Sequence, residues 1–145
     1  MRNRAVPFFL LIALLCFAHS AGAGVLKAYF PGFAVTGAQN RDEMRTGLRT
    51  LLVSRLGGDA IFAVDTPADA DIIVTGSYVA FGTIFSIDAV VRNSTGVFLA
   101  RAFVQGEGKD ELIPAVGKLA KELASDVRKA YALPPAGQPA ASAAP

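Results

Sequence analysis

Between Ile72 and Val104 apolar side chains recur at every second position, interrupted only where residues favour a turn: IIVTGSYVAFGTIFSIDAVVRNSTGVFLARAFV. A β-strand sends successive side chains to opposite faces, so a period of two commits this segment to sheet. Asn93-Ser94-Thr95-Gly96 reads as a four-residue hairpin loop, with Gly96 free to take a positive φ. That loop sets Arg92 opposite Val97, Val91 opposite Phe98, Ala89 opposite Ala100, Ile87 opposite Ala102 and Phe85 opposite Val104. The alternate set pairs Val90 with Leu99, Asp88 with Arg101 and Ser86 with Phe103. A two-residue turn at Phe81-Gly82 or Gly82-Thr83 adds a third antiparallel strand. It places Ile72, Val74, Gly76 and Tyr78 on the dry face and Ile73, Thr75, Ser77 and Val79 on the other. Turn residues at intervals of roughly eight to twelve positions are a sheet pattern and not that of a membrane span.

Upstream, VLKAYFPGFAV (25–35) reads as a first strand broken at Pro31-Gly32, and AIFAVD (60–65) as a short, buried second strand. Between them Met44, Leu48, Leu51, Leu52 and Leu56 form a stripe at helical spacing. Asn40 is placed to cap this helix while Glu43 reaches back. Gly57-Gly58 ends it, with glycine taking a left-handed turn. Arg41, Arg45, Arg49 and Arg55 read as a solvated helix face in preference to an anion site. A second helix follows GEGKDE, its apolar face traced by Leu112, Val116, Leu119, Leu123, Val127 and Tyr131, with Pro114 near the first turn. Lys118, Lys121, Arg128 and Lys129 belong to its outer side or its carboxyl end. The two stripes suit the dry sheet face, and Gly76 leaves room there for close approach.

Residues 1–23 read as a cleaved secretory signal. Arg2 and Arg4 precede an apolar run from Phe8 to Ala18, and Ala21-Gly22-Ala23 sets the cut before Gly24. The run is shorter than the roughly 20 apolar residues of a spanning helix. Cys16 follows Leu14-Leu15, which does not suit lipidation, and reads as one apolar member of the signal. Residues 24–133 form one domain, and 134–145, PPAGQPAASAAP, read as a disordered tail without charge or large apolar side chains. The chain has 14 Lys+Arg against 12 Asp+Glu; removing Arg2 and Arg4 leaves 12 against 12. A formally neutral mature chain carries no general case for nucleic acid.

The one His and the one Cys, His19 and Cys16, both precede Gly24. The domain therefore lacks Ser-His and Cys-His nucleophile pairs and any ordinary zinc site. Asp65, Asp69 and Asp71 do not follow the EF-hand spacing and read as turn residues in preference to calcium ligands. GEGKDE lacks the phosphate-loop spacing and reads as the start of a helix. Asn93-Ser94-Thr95 matches a glycosylation sequon, but hairpin turn is the stronger reading. No cofactor, metal or catalytic motif stands out.

Taken together, Ala70-Asp71, Val74 to Ser77, Asp88-Ala89, Thr95-Gly96, Gly106 and Asp110 to Leu112 resemble the second half of TolB amino-terminal-like domains, related to the CsgG, FlgO and LpoB families of envelope proteins. GLRTLLVSRL (47–56) is similar to the helix such domains place after strand one, so the resemblance covers residues 25 to 132. It implies a mixed sheet with helices packed on it and protein contacts in the Gram-negative envelope. The chain departs from it in carrying only TPADA where relatives often have a helix, and in showing no β-propeller.

The expectation is thus a two-layer α+β domain, β-α-β-β-β-β-α, with a mixed sheet of about five strands and both helices on one face. The leading functional expectation is a non-catalytic exported adaptor, periplasmic or associated with the outer membrane. Its partner is another envelope protein of an outer-membrane or Tol/secretion-type assembly, bound through Ser77, Val79, Ser86, Asp88, Leu99, Arg101 and Phe103. Helices on one side leave Ile73, Val79, Ile84, Val90, Leu99 and Phe103 uncovered on that face, and such patches mark partner sites. Burial of the same face under the amino-terminal segment or the tail is the competing reading. Two further functions stay open: a small-ligand or glycan carrier with a pocket near Gly106 to Asp110, and a subunit self-assembling through a strand edge.

Overall fold

The computed structural model describes residues 25–58 and 60–133; the expected signal and tail lie outside them. The alternating segment forms β3 (Ile72–Phe81), β4 (Ile84–Asn93) and β5 (Phe98–Glu107). The earlier strands are β1 (Leu26–Thr36) and β2 (Ile61–Val64), and the helices are α1 (Arg41–Leu56) and α2 (Leu112–Ala130). Short 3-10 turns at Pro67–Asp69 and Lys109–Glu111 lead into β3 and α2. The five strands lie in the order β2-β1-β3-β4-β5. β1 runs parallel to β2 and β3, and the β3-β4 and β4-β5 pairs are antiparallel. The expected two-layer α+β domain is present. The short 66–70 connection still admits a parallel placement of β3 beside β1.

One face of the sheet is dry. Ile72, Val74, Tyr78, Phe85, Ile87, Ala89, Val91, Ala100, Ala102 and Val104 are all buried. They pack with Leu48, Leu52 and Leu56 of α1 and Val116, Leu119, Ala120, Leu123 and Val127 of α2 in one core. Gly76 and Phe33 are register partners on adjacent strands. A Cβ on Gly76 would meet the Phe33 ring at 2.3 Å, so glycine there makes room for an aromatic side chain.

Several local details differ from expectation, each for a traceable reason. Pro31-Gly32 does not end β1; it sits in a register shift between Tyr29 and Gly32, with Gly32 at φ 115°. Arg45 Nε donates to the Phe33 carbonyl at 3.2 Å and Arg49 Nε to the Phe30 carbonyl at 2.9 Å. Two of the arginines expected to be solvated therefore tie α1 to the bulge. At the start of α1 the Asn40 side chain donates to the Glu43 carboxylate at 3.0 Å and makes no cap bond to backbone. Gly57 ends the helix in an extended conformation (φ −60°, ψ 141°), not a left-handed one. A Cβ on it would meet the Val53 carbonyl oxygen at 2.8 Å, so close approach is what requires glycine.

The β4-β5 register is offset by two residues from the expected pairing. Val91 faces Ala100, Ala89 faces Ala102 and Ile87 faces Val104, while Asp88 faces Phe103, Val90 faces Arg101 and Ser86 faces Gln105. The cause is Asn93. Its Oδ1 accepts from the backbone N–H of Thr95 (3.0 Å) and of Val97 (2.8 Å) and from the Thr95 hydroxyl (2.8 Å). Asn93 N–H also donates to the Val97 carbonyl at 2.9 Å, which draws Val97 into the loop. A second irregularity sets Arg92 opposite Phe98 and leaves Leu99 as the extra residue of a bulge. An even slip keeps every residue beyond the bulge on its expected face, because the side-chain period is two. Phe98 is the exception: expected on the dry face, it is exposed. The β3-β4 turn is the Gly82-Thr83 alternative, with Phe81 facing Ile84.

Candidate functional site

The sheet face opposite the helices is uncovered among the described residues. Its residues form rows across the strands. Ala34, Ser77, Asp88 and Phe103 make one row; Thr36, Val79, Ser86 and Gln105 make the next; Gly32, Thr75, Val90 and Arg101 flank the first on its other side. All seven expected contact residues except Leu99 fall within these rows. Leu99 is half-buried at the bulge and packs against the core cluster.

Asp88 and Arg101 meet diagonally across β4 and β5, not directly opposite as expected. The pairing is bidentate: Arg101 Nε lies 3.1 Å from Asp88 Oδ1 and 2.9 Å from Oδ2, and the guanidinium Nη2 also contacts Oδ2. The hydrogen bond to Asp88, and then its charge, push the Arg101 guanidinium above its ordinary value, so it stays cationic throughout the physiological range. The Asp88 side chain is 20% exposed and the Arg101 side chain 62%. The carboxylate is thus mostly sheltered beneath a guanidinium that faces solvent. A group held this way can accept a planar or anionic partner without first being positioned.

Around this pair the surface is apolar. Ile84 is 56% exposed and Phe103 51%, while Ile73, Val79 and Val90 are half-buried. At the far edge of the same face, Phe62 of β2, opposite Lys27 of β1, is 66% exposed. The expectation of a buried β2 missed it: Ile61 to Val64 are all apolar, yet of the four only Ile61 is buried. Phe98, 54% exposed at the β5 bulge, was missed for want of the register.

In the region expected to form a ligand pocket, the space beside Gly106 is taken. A Cβ on Gly106 would meet the Phe85 ring at 2.5 Å and the Glu111 carboxylate at 2.9 Å. Glu111 Oε2 accepts from the Glu107 N–H at 2.7 Å, and its neighbours continue into α2 as a helix start. Among the described residues no cluster of three or more His, Cys, Asp or Glu could hold a metal ion. Asp71, read as a turn residue, accepts through Oδ2 from the Lys27 N–H at 2.8 Å and helps align β1 with β3. No helix among the described residues is long and apolar enough to cross a membrane.

No protein-family model matches the chain, and no curated protein matches it in sequence. Solved structures do match. A point variant of PelC from Paraburkholderia phytofirmans, solved as a dodecamer, is similar over 70% of this chain and 88% of its own, at 12% identity and TM-score 0.55. Lipoprotein GNA1162 from Neisseria meningitidis is similar over 59% of this chain and 83% of its own, at 11% identity and TM-score 0.48. TolB from Acinetobacter baumannii is similar over 73% of this chain but 28% of its own, at 10% identity and TM-score 0.48. The likeness to the PelC variant is one of fold, and TolB, whose amino-terminal-like domains the sequence resembles, stands among the matching structures.

Proposed function

We propose that this protein is a non-catalytic adaptor of the bacterial envelope, which binds another envelope protein through the outer sheet face around Ser77, Asp88, Arg101 and Phe103. The observation that carries the reading is the composition of that face: a bidentate, solvent-facing Arg101–Asp88 pair beside exposed Phe103 and half-buried Val90, with exposed Ile84 further along β4. Interfaces of this kind combine aromatic and arginine anchors at the centre with few other charges. The location rests on the signal-like residues 1–23 and on the envelope domains whose fold the chain shares. The non-catalytic character rests on a domain without His or Cys.

A photo-crosslinking side chain placed at Phe103, in cells, tests the reading. The expected result is an adduct with a second envelope protein that disappears when Arg101→Glu is added. An equal adduct from a crosslinker at Thr50 on α1, or one indifferent to Arg101→Glu, would refute it. A second reading, self-assembly, is favoured by the sheet edges β2 and β5 and by the dodecameric state of the PelC variant that shares the fold. Under that reading the Phe103 adduct is between copies of this chain, and light scattering reports a concentration-dependent oligomer.

A further inference from the structure

β5 ends the sheet on one side, and its sequence FLARAFVQGE, 10 residues long, holds neither Pro nor Lys. A long, open edge is a template for strand pairing, and proteins blunt such edges with short strands, Lys, Pro or bulges. The opposite edge follows that rule, because β2 has only 4 residues. On β5 the protection is confined to the two ends. The bulge at Leu99 interrupts one end. At the other, the Glu107 N–H donates to the Glu111 carboxylate at 2.7 Å.

The direction of the backbone groups in between follows from their neighbours. The Gly108 N–H donates to the Thr83 carbonyl at 2.8 Å, on the β4 side, whereas the Glu107 N–H turns away to Glu111. Successive residues of a paired strand bond alternately to either side. Ala102, Val104 and Gly106 therefore bond to β4, and Arg101, Phe103 and Gln105 direct N–H and C=O to the edge, where no described strand lies. Arg101, the charge in this stretch, is already held by Asp88 and does not guard the edge as a free Lys would. Nor does α2 close it: a depression of about 570 Å³ lies between Arg101 and α2, walled by Lys118 and Lys121 together with Glu122 and Asp126.

We propose that two copies of this chain pair β5 to β5, antiparallel about a two-fold axis at Phe103, and so join their sheets into one. This deepens the self-assembly reading above and rests on it. An open edge accepts many strands, but the side chains of β5 are complementary to themselves. In this register Phe103, 51% exposed in the single chain, meets Phe103 of the second copy. Arg101 stands opposite Gln105 of the second copy, with Glu107 of that copy on the diagonal, within reach of long side chains. On the dry face Ala102 meets Val104, both buried, so the apolar side continues across the junction. A parallel copy would instead set Arg101 beside Arg101 and Glu107 beside Glu107. Both outer sheet faces end on the same side of the joined sheet, open to a further partner.

The test is sedimentation velocity over a range of concentrations, on protein purified from cells expressing the full-length chain. A monomer–dimer equilibrium with no larger species is expected. Gln105→Pro removes an N–H that faces the edge and spares the ladder to β4, so it gives a monomer with an unchanged circular dichroism spectrum. Gln105→Thr keeps that N–H and keeps the dimer. Glu107→Gln weakens the dimer roughly twofold to thirtyfold, through two lost cross-strand charge pairs. Amide exchange of the unaltered protein gives a measurement that needs no variant. The Arg101, Phe103 and Gln105 amides become protected as the dimer fills, while Ala102 and Val104 are protected throughout. A dimer that survives Gln105→Pro or is indifferent to Glu107→Gln, or edge amides that exchange equally in monomer and dimer, would overturn this pairing and leave self-assembly standing. A chain that stays monomeric at every concentration would overturn both.

Discussion

Replacing Gly76 by alanine tests the packing on which the sheet depends. The new Cβ would lie 2.3 Å from Phe33 Cε1, 2.6 Å from Cδ1 and 2.7 Å from Cζ. Carbon atoms in contact sit about 3.5–4.0 Å apart, so the ring must retreat by about 1 Å or more. Phe33 is only 4% exposed and belongs to the core cluster, and a close-packed interior offers little space for that movement. Overpacking of this kind costs about 1–3 kcal/mol, against a gain of about 0.5–1 kcal/mol for replacing a strand glycine. The expected net loss is about 1–2 kcal/mol, read as a fall in melting temperature of roughly 4–16 °C for a domain near 100 residues. The ring can be removed independently. In a Phe33→Leu background Gly76→Ala should cost close to nothing, giving a coupling energy of about 1 kcal/mol or more in a double-mutant cycle. Urea unfolding of the four proteins measures it. Equal losses in both backgrounds would refute the steric account.

Three other outcomes follow from single interactions. Arg49→Met keeps the length of the side chain but removes the donor to the Phe30 carbonyl, and lowers stability by about 1–2 kcal/mol in urea unfolding. Asn93→Ala removes an acceptor of three hydrogen bonds in the β4-β5 turn; a loss of about 1–2 kcal/mol and faster amide exchange at Val97 are expected. Burial raises the Tyr78 hydroxyl above its ordinary 10.0. Unfolding then releases a proton more readily at high pH, so Tyr78 contributes its full share below about pH 10 and loses it as pH rises through the folded value. Tyr78→Phe should flatten the stability profile above pH 10 relative to the wild type, measured by melting temperature against pH.

Much of the candidate site was legible because it rests on a local rule. Ser77, Val79, Ser86, Asp88, Arg101 and Phe103 share the outer face, as their parity requires, although the β4-β5 register differs by two. Leu99 and Phe98 were misplaced because a bulge changes parity, and no sequence period announces a bulge. The arginines of α1 show the same limit. Their spacing describes a helix face, yet Arg45 and Arg49 reach carbonyls of a strand 12 and 19 residues away.

By itself the sequence determined what each segment is and which side of it is dry, since period and stripe depend on neighbours a few residues apart. Tertiary structure decided what meets what. The side-chain bonds of Asn93 chose the register, and the crossing of β1 beside β3 set the strand order. Packing of α1 against α2 brought Arg55, Lys121 and Arg128 to one cleft. These outcomes depend on contacts between residues far apart in the chain, whose free energies compare whole alternative packings and leave no trace in any local pattern.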